Sequence, residues 1–195
     1  MRGRWRDNVG GRARGNYRDC MSLTSIEFRK AMGCFATGVT IITLDLDGEA
    51  HGMTANAVAS VSLDPILVLV CVGHIAQTHG YIHAKKRFGI NILAESQRPI
   101  SEYYARPVEV RGHAEQGREQ VRAEAEAGAR FDRTAHGTPV LHGALAYLEC
   151  KLQSAQEAGD HTIFIAEVED VVVRSGEPLL FFRGKYRKIG QDVAS

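Results

Sequence analysis

Residues 52–73 read GMTANAVASVSLDPILVLVCVG. In the second half, Ile66 to Val72, seven successive apolar residues rich in Val, Ile and Leu are bounded by Pro65 and Gly73. A run that short and that β-branched predicts a strand buried on both faces. The first half sets Thr54, Asn56, Ser60 and Ser62 among Met53, Ala55, Ala57, Val58 and Val61. Short hydroxyls and an amide at the edge of a core offer donors and acceptors where backbone can approach a ligand closely, which suits a flat polar molecule. By composition alone, the commoner reading of such a stretch is an ordinary strand and loop whose hydroxyls are satisfied locally.

Upstream, Thr24 followed by Glu27 makes a capping box, and Phe28, Ala31, Met32 and Phe35 fall on one face of the helix it opens. This helix is expected to pack on the core and to stop at Gly38. Val39 to Leu44, VTIITL, then reads as a strand. Asp47-Gly48 supplies a tight hairpin turn, which returns the chain through His51 and Met53 into the 52–73 stretch.

Downstream, Ile75 to Lys86 has helical spacing with Lys85, Lys86 and Arg87 at its end, where cations favour the helix dipole. Phe88 to Ile92 reads as a strand, and Ile100, Tyr103 and Tyr104 mark a helical turn or two. Arg106 to Gly137 is polar, with a weak helical pattern over Glu119 to Ala127, and reads as an exposed insertion or flap. A long strand is expected over Ala144 to Leu152. Gly159-Asp160 turns the chain into a further strand over Thr162 to Val173, and Leu179 to Phe182 closes the set ahead of the basic RGKYRK segment. Six or seven mostly antiparallel strands with intervening helices predict a mostly β fold with helices, a decorated β-barrel. Neither a regular strand and helix alternation nor a G-x-G-x-x-G fingerprint supports a doubly wound sheet.

The 195 residues, 44% of them hydrophobic, suit one domain with one sizeable core. No apolar run approaches the roughly 20 residues of a membrane span. Lysine and arginine number 24 against 23 acids, so net charge gives no argument for nucleic acid or an anionic membrane. Cys20, Cys34, Cys71 and Cys150 form no Cys-x-x-Cys pair. That argues against both a zinc site and a disulfide framework and for a reducing, cytoplasmic setting, with Cys71 and Cys150 as small buried hydrophobes. Residues 1–22 alternate arginine with glycine and hold little that could be buried. They are expected to be a disordered basic extension, with Met21 as the start of the foldable chain and residues 23–190 as its domain.

Six blocks in order carry a resemblance: FRKAMGCFATGVTIIT, GMTANAVASVSLDPILVLVCV, FGINIL, GALAYLEC, GDHTIFIAEV and PLLFFRGKY. Together they resemble the short-chain flavin reductases, the NAD(P)H-dependent reductase components of two-component flavin monooxygenases. The resemblance implies an FMN-binding split β-barrel that forms a homodimer. Such a protein takes hydride from NADH or NADPH onto FMN or FAD and gives the reduced flavin to a separate monooxygenase.

Carried over by residue, the resemblance makes Thr54, Asn56, Ala57 and Ser60 flavin contacts, continued by Ser62 and Leu63. Gln77 and Thr78 correspond to the phosphate-binding turn, with Gln77 where a basic residue is common. Asn91 falls in the block that reaches the flavin. Gly159, Asp160 and His161 resemble the nicotinamide-side motif, His161 being the residue that orients the nicotinamide and relays a proton. Arg183 and Tyr186 resemble the C-terminal block near that site.

Competing patterns are thinner. His79 and His83 stand four apart on a predicted helix, a chelating spacing, but no third ligand is near in sequence and no metal is expected. Ser60 with His51 or His161 lacks the G-x-S-x-G elbow of a hydrolase. A flavin carrier on the same barrel, without reductase turnover, is the alternative from another class.

Overall fold

The computed structural model describes residues 23–106 and 127–191. The expected disordered extension at residues 1–22 and nearly all of the weak helical pattern over 119–127 lie outside the described residues.

The chain opens on α1 (Ser25–Met32), capped as the capping box predicts: Thr24 Oγ1 accepts from the Glu27 amide, and the Glu27 carboxylate accepts from the Thr24 amide. Two expectations for this helix are corrected. It ends at a Gly33 cap rather than at Gly38, and it buries none of its residues: Phe28, Met32 and Phe35 are more than half exposed. After β1 (Thr37–Gly38), β2 (Thr40–Leu46) and β3 (Glu49–Ala55) form a hairpin about Asp47-Gly48, both with positive φ as a two-residue turn requires. β4 (Val58–Leu63) and β5 (Ile66–Gly73) form a second hairpin that turns through a cis Asp64-Pro65 bond.

Next come α2 (Gln77–Lys85), β6 (Arg87–Ile92) and α3 (Arg98–Tyr104), then the short pair β7 (Phe131–Arg133) and β8 (Pro139–Leu141). The longest strands, β9 (Ala146–Ala158) and β10 (His161–Val173), form a hairpin about Gly159-Asp160. A small hairpin, β11 (Leu180–Phe182) with β12 (Lys185–Arg187), ends the described fold. Seven strands make one antiparallel sheet in the order β3-β2-β6-β9-β10-β5-β4, and β1 joins β11 and β12 in a second sheet.

Two cores flank the sheet. Ile42, Leu44, Val70, Phe88, Ile90 and Phe164 fill one with Ile82 of α2 against them; Val39, Ile41, Leu93, Tyr104, Leu141 and Leu179 fill the other beneath α3 and β8. β2 sends alternate residues to each, which is why VTIITL is buried throughout, its two threonines included. Full burial of each of the larger side chains is worth about 1.5–3 kcal/mol. Gly52 lets α3 close on β3, because a Cβ there would stand 2.6 Å from the Tyr104 ring.

The strand expected to be buried on both faces departs from that expectation. In β5, Val68, Val70 and Val72 are buried, whereas Leu67, Leu69 and Cys71 on the opposite face are only half-buried. The second apolar face lines a cleft.

Candidate functional site

That cleft, about 650 Å³, opens between the chain leaving α1 and the outer face of β5. Thr37 and Gly38 form one wall, the β3–β4 corner at Asn56 and Ala57 another, and Leu69 and Cys71 the floor. Small side chains at the corner keep the space open, and the apolar floor excludes water. The Asn56 amide donates to the Thr37 hydroxyl at 3.2 Å, so two polar groups converge at one rim of an otherwise apolar slot. Burial raises the Cys71 thiol above its ordinary value, which keeps it protonated and inert.

The register of β5 against β10 places the next feature. Cys71 pairs with Ile163, and two residues on, Gly73 pairs with His161, so all four face the same side of the sheet. The Gly159-Asp160-His161 turn therefore stands at the end of the cleft floor. His161 Nδ1 is 2.7 Å from Asp160 Oδ1, and its Nε2 lies over the bare Cα of Gly73. The hydrogen bond from His161, followed by its nearby ring, holds the Asp160 carboxyl below the ordinary range.

The segment between β5 and α2 is tied to the same end, since the His74 amide donates to the Asp160 carbonyl at 3.0 Å. No side chain caps α2 at Ala76, and Gln77 is exposed at its first position. Thr78 is turned inward, its hydroxyl 2.8 Å from His51 Nε2 in a buried contact.

Of the residues singled out in the sequence, Asn56 and Ala57 line the cleft, and the Gly159, Asp160 and His161 turn stands at one end of its floor. Gln77 and Thr78 begin α2, with Thr78 turned into the core on the other face of β5. The others go elsewhere. Thr54 donates to the Ser101 carbonyl at 2.7 Å, and the Ser101 hydroxyl meets Tyr186 OH at 2.8 Å; both predicted residues therefore meet at α3. Asn91 is fully buried, donating to Ile41 O and Thr43 Oγ1 and accepting from the Leu141 amide, so its side chain is committed to joining β8 to β2 and β6. Ser60 is exposed on β4; Ser62 accepts from the Asp64 amide in the hairpin turn, beside an exposed Leu63. Arg183 sits at positive φ in the β11–β12 turn, bound through its amide to Gly33 O. It lines a second cleft of about 560 Å³ with Arg29 and Lys30.

Sequence reading missed Thr37, Met32, Phe35, Leu69 and Cys71 as cleft residues. The one available signal was that β5 is apolar at every position although one chain buries only alternate ones.

The model of a family described as flavin reductase like domain matches residues 32–190. An NADH-dependent flavin reductase of a Rhodococcus species is 38% identical over 170 residues, spanning 86% of this chain and 88% of its own. The reductase component of a 4-nitrophenol 4-monooxygenase/4-nitrocatechol 2-monooxygenase from Rhodococcus opacus is 37% identical, over 84% of this chain and 80% of its own. Among solved structures, the NADH:FAD oxidoreductase of Streptomyces globisporus, in complex with NAD and FAD fragments, superposes with a TM-score of 0.74 at 33% identity. That match covers 87% of this chain and 94% of the other. A flavin reductase in its native state gives 0.74 at 40% identity, covering 87% and 100%. The mostly β fold expected from the sequence is the split β-barrel of these reductases.

Proposed function

The chain belongs to the flavin reductase like domain family, and on that premise we propose that it reduces flavin with NADH in the Asn56–Cys71 cleft and passes the reduced flavin to a separate monooxygenase. The observation that carries the reading is the placement of the Gly159-Asp160-His161 turn on the same sheet face as the cleft floor.

The residues present fit a flavin ring: an apolar slot of about 650 Å³ with small walls and two polar groups at one rim. Flavin and nicotinamide together supply the hydride chemistry. The chain's part is to position and polarise. Asn56 and Thr37 offer donors to the polar edge of the ring, where negative charge grows on reduction. Leu69 and Cys71 support its apolar part. The uncapped start of α2, at Gln77 and Thr78, presents backbone N–H groups and the positive end of a helix dipole toward a phosphate. His161, its Nδ1 held by Asp160, directs Nε2 toward Gly73 and the cleft end, where it orients the nicotinamide and relays a proton. Asn91 and Thr54 support this arrangement from behind the sheet, through the hydrogen bonds described above.

NADH is favoured as donor because several relatives are named for it; they are named for FAD and for FMN alike. A homodimer is proposed from the exposed apolar residues Leu63, Ile66, Val171 and Val173, which a second copy would cover. A cytoplasmic setting agrees with the free thiols of Cys34, Cys71 and Cys150 and with a nicotinamide donor. No helix among the described residues is long and apolar enough to cross a membrane.

The test is anaerobic stopped-flow bleaching of the flavin band at about 450 nm by each nicotinamide. Saturable bleaching by NADH supports the reading; flavin that binds and is bleached by neither donor removes it in favour of a carrier.

A further inference from the structure

The pair of histidines at chelating spacing, His79 and His83, finds no third ligand among the described residues, but His79 finds two others. His74 follows β5 directly, His79 lies in the first turn of α2, and Glu157 is near the end of β9. One nitrogen or oxygen of each lies within 4.8 Å of the rest. His74 Nε2 is 2.8 Å from Glu157 Oε2. The Thr162 hydroxyl sits among them, 3.2 Å from His74 Nε2, 2.8 Å from His79 Nε2 and 3.0 Å from Glu157 Oε1.

We propose that His74, His79 and Glu157 form a binding site for a first-row divalent cation of the zinc type. Two imidazole nitrogens and a carboxylate oxygen are a donor set such ions accept, with a fourth position left open. A tetrahedral ion with arms of about 2.0–2.1 Å holds its ligand atoms about 3.3 Å apart. The three donor atoms, within 4.8 Å of one another, would have to close by at most about 1.5 Å to reach that spacing. The His79 ring is already oriented: His83 meets it edge-on at 4.9 Å and Phe164 at 5.5 Å, and His83 packs on Phe164 in turn. His83 thus acts as support for a ligand rather than as one. An ion here would pin the β9–β10 turn to the segment entering α2 beside the His74–Asp160 backbone bond, on the sheet face opposite His161.

The site does not depend on the reductase reading, and its test needs no turnover. Zinc chloride is titrated calorimetrically into untagged, chelator-treated full-length protein in a non-coordinating buffer at about pH 7.5. One ion per chain is expected, with affinity reduced about tenfold or more in His79→Gln and in Glu157→Gln, each checked for a native circular dichroism spectrum. His83→Gln is expected to stay within about twofold of the wild type. Cobalt loaded in place of zinc should give visible bands of tetrahedral intensity that both ligand variants lose. Absence of binding in the wild type, wild-type affinity in either ligand variant, or a loss in His83→Gln as large as that in His79→Gln overturns the assignment.

Discussion

The imidazole of His161 covers the bare α-carbon of Gly73: Nε2 lies 3.5 Å from where a Cβ at Gly73 would stand, while Nδ1 is held by Asp160. The ring is placed by what the strand beside it lacks. A methyl group at 3.5 Å is an ordinary contact, so Gly73→Ala should leave activity within about twofold. Gly73→Val must displace the ring and should raise the KM for NADH several-fold with little change in flavin affinity. Steady-state kinetics with a parallel flavin titration separates the two; a flavin affinity that falls with the KM would break the link to His161.

Removing the ring itself is the complementary change. His161→Ala should raise the KM for NADH about tenfold while the flavin Kd stays within about twofold. Loss of its hydrogen bond also returns the Asp160 carboxyl upward toward the ordinary range. A pH titration of Asp160 by carbon-13 NMR checks the second effect independently of turnover.

Blocking the slot should do the reverse. Ala57 lines the cleft and is exposed at the corner before β4, so Ala57→Phe adds a ring to the space without entering either core. Flavin affinity should fall more than about tenfold at unchanged thermal stability. Asn56→Ala, which removes one donor, should cost about three- to tenfold. Unaltered flavin binding in Ala57→Phe would place the flavin elsewhere.

Glu149 governs acid stability. Burial alone would raise its carboxyl, but hydrogen bonds from Thr138 at 2.8 Å, Thr134 at 2.9 Å and His136, with Arg87 beside them, more than offset it and hold it below the ordinary range. A carboxyl lowered on folding stabilises the fold above its unfolded value of about 4.3, and that contribution disappears as pH falls through the lower folded value. Thr138→Val should cost about 1–3 kcal/mol at neutral pH, and the difference from wild type should shrink as pH falls below about 4. Thermal melts at both pH values measure it; a constant difference would mean that Thr138 acts through packing alone.

The Tyr104–Gly52 contact sets a packing limit. Gly52→Ala would drive a Cβ to 2.6 Å from the ring, and the clash should cost about 1–3 kcal/mol by forcing α3 away from β3. Denaturant unfolding measures the cost. A neutral effect would show that α3 slides freely on the sheet.

Most of the fold could be read from the chain because its signals are local. Thr24 and Glu27 define a helix start by side chains three residues apart, and Asp47-Gly48 and Gly159-Asp160 define hairpins by the φ angles their residues accept. The site was less legible. Asn56 and Ala57 line the cleft, but Thr54 and Asn91, of the same polar type, turn to α3 and into the core. Which way a polar side chain points in a strand depends on register with its neighbours, and single-sequence spacing does not contain that.

The sequence by itself determined the family, the longer strands and the helix starts, and the Asp47-Gly48 and Gly159-Asp160 turns, since each rests on residue types at short separations. Only the tertiary structure decided that the second face of β5 is a cleft floor, because the pairing of Cys71 with Ile163 and of Gly73 with His161 joins segments about ninety residues apart. It likewise decided that the ligand atoms of His79 converge with those of His74 and Glu157, while His83 packs edge-on beside its ring. Contacts of that kind arise from strand register and from the docking of α2 on the sheet, which spacing along one helix cannot reveal.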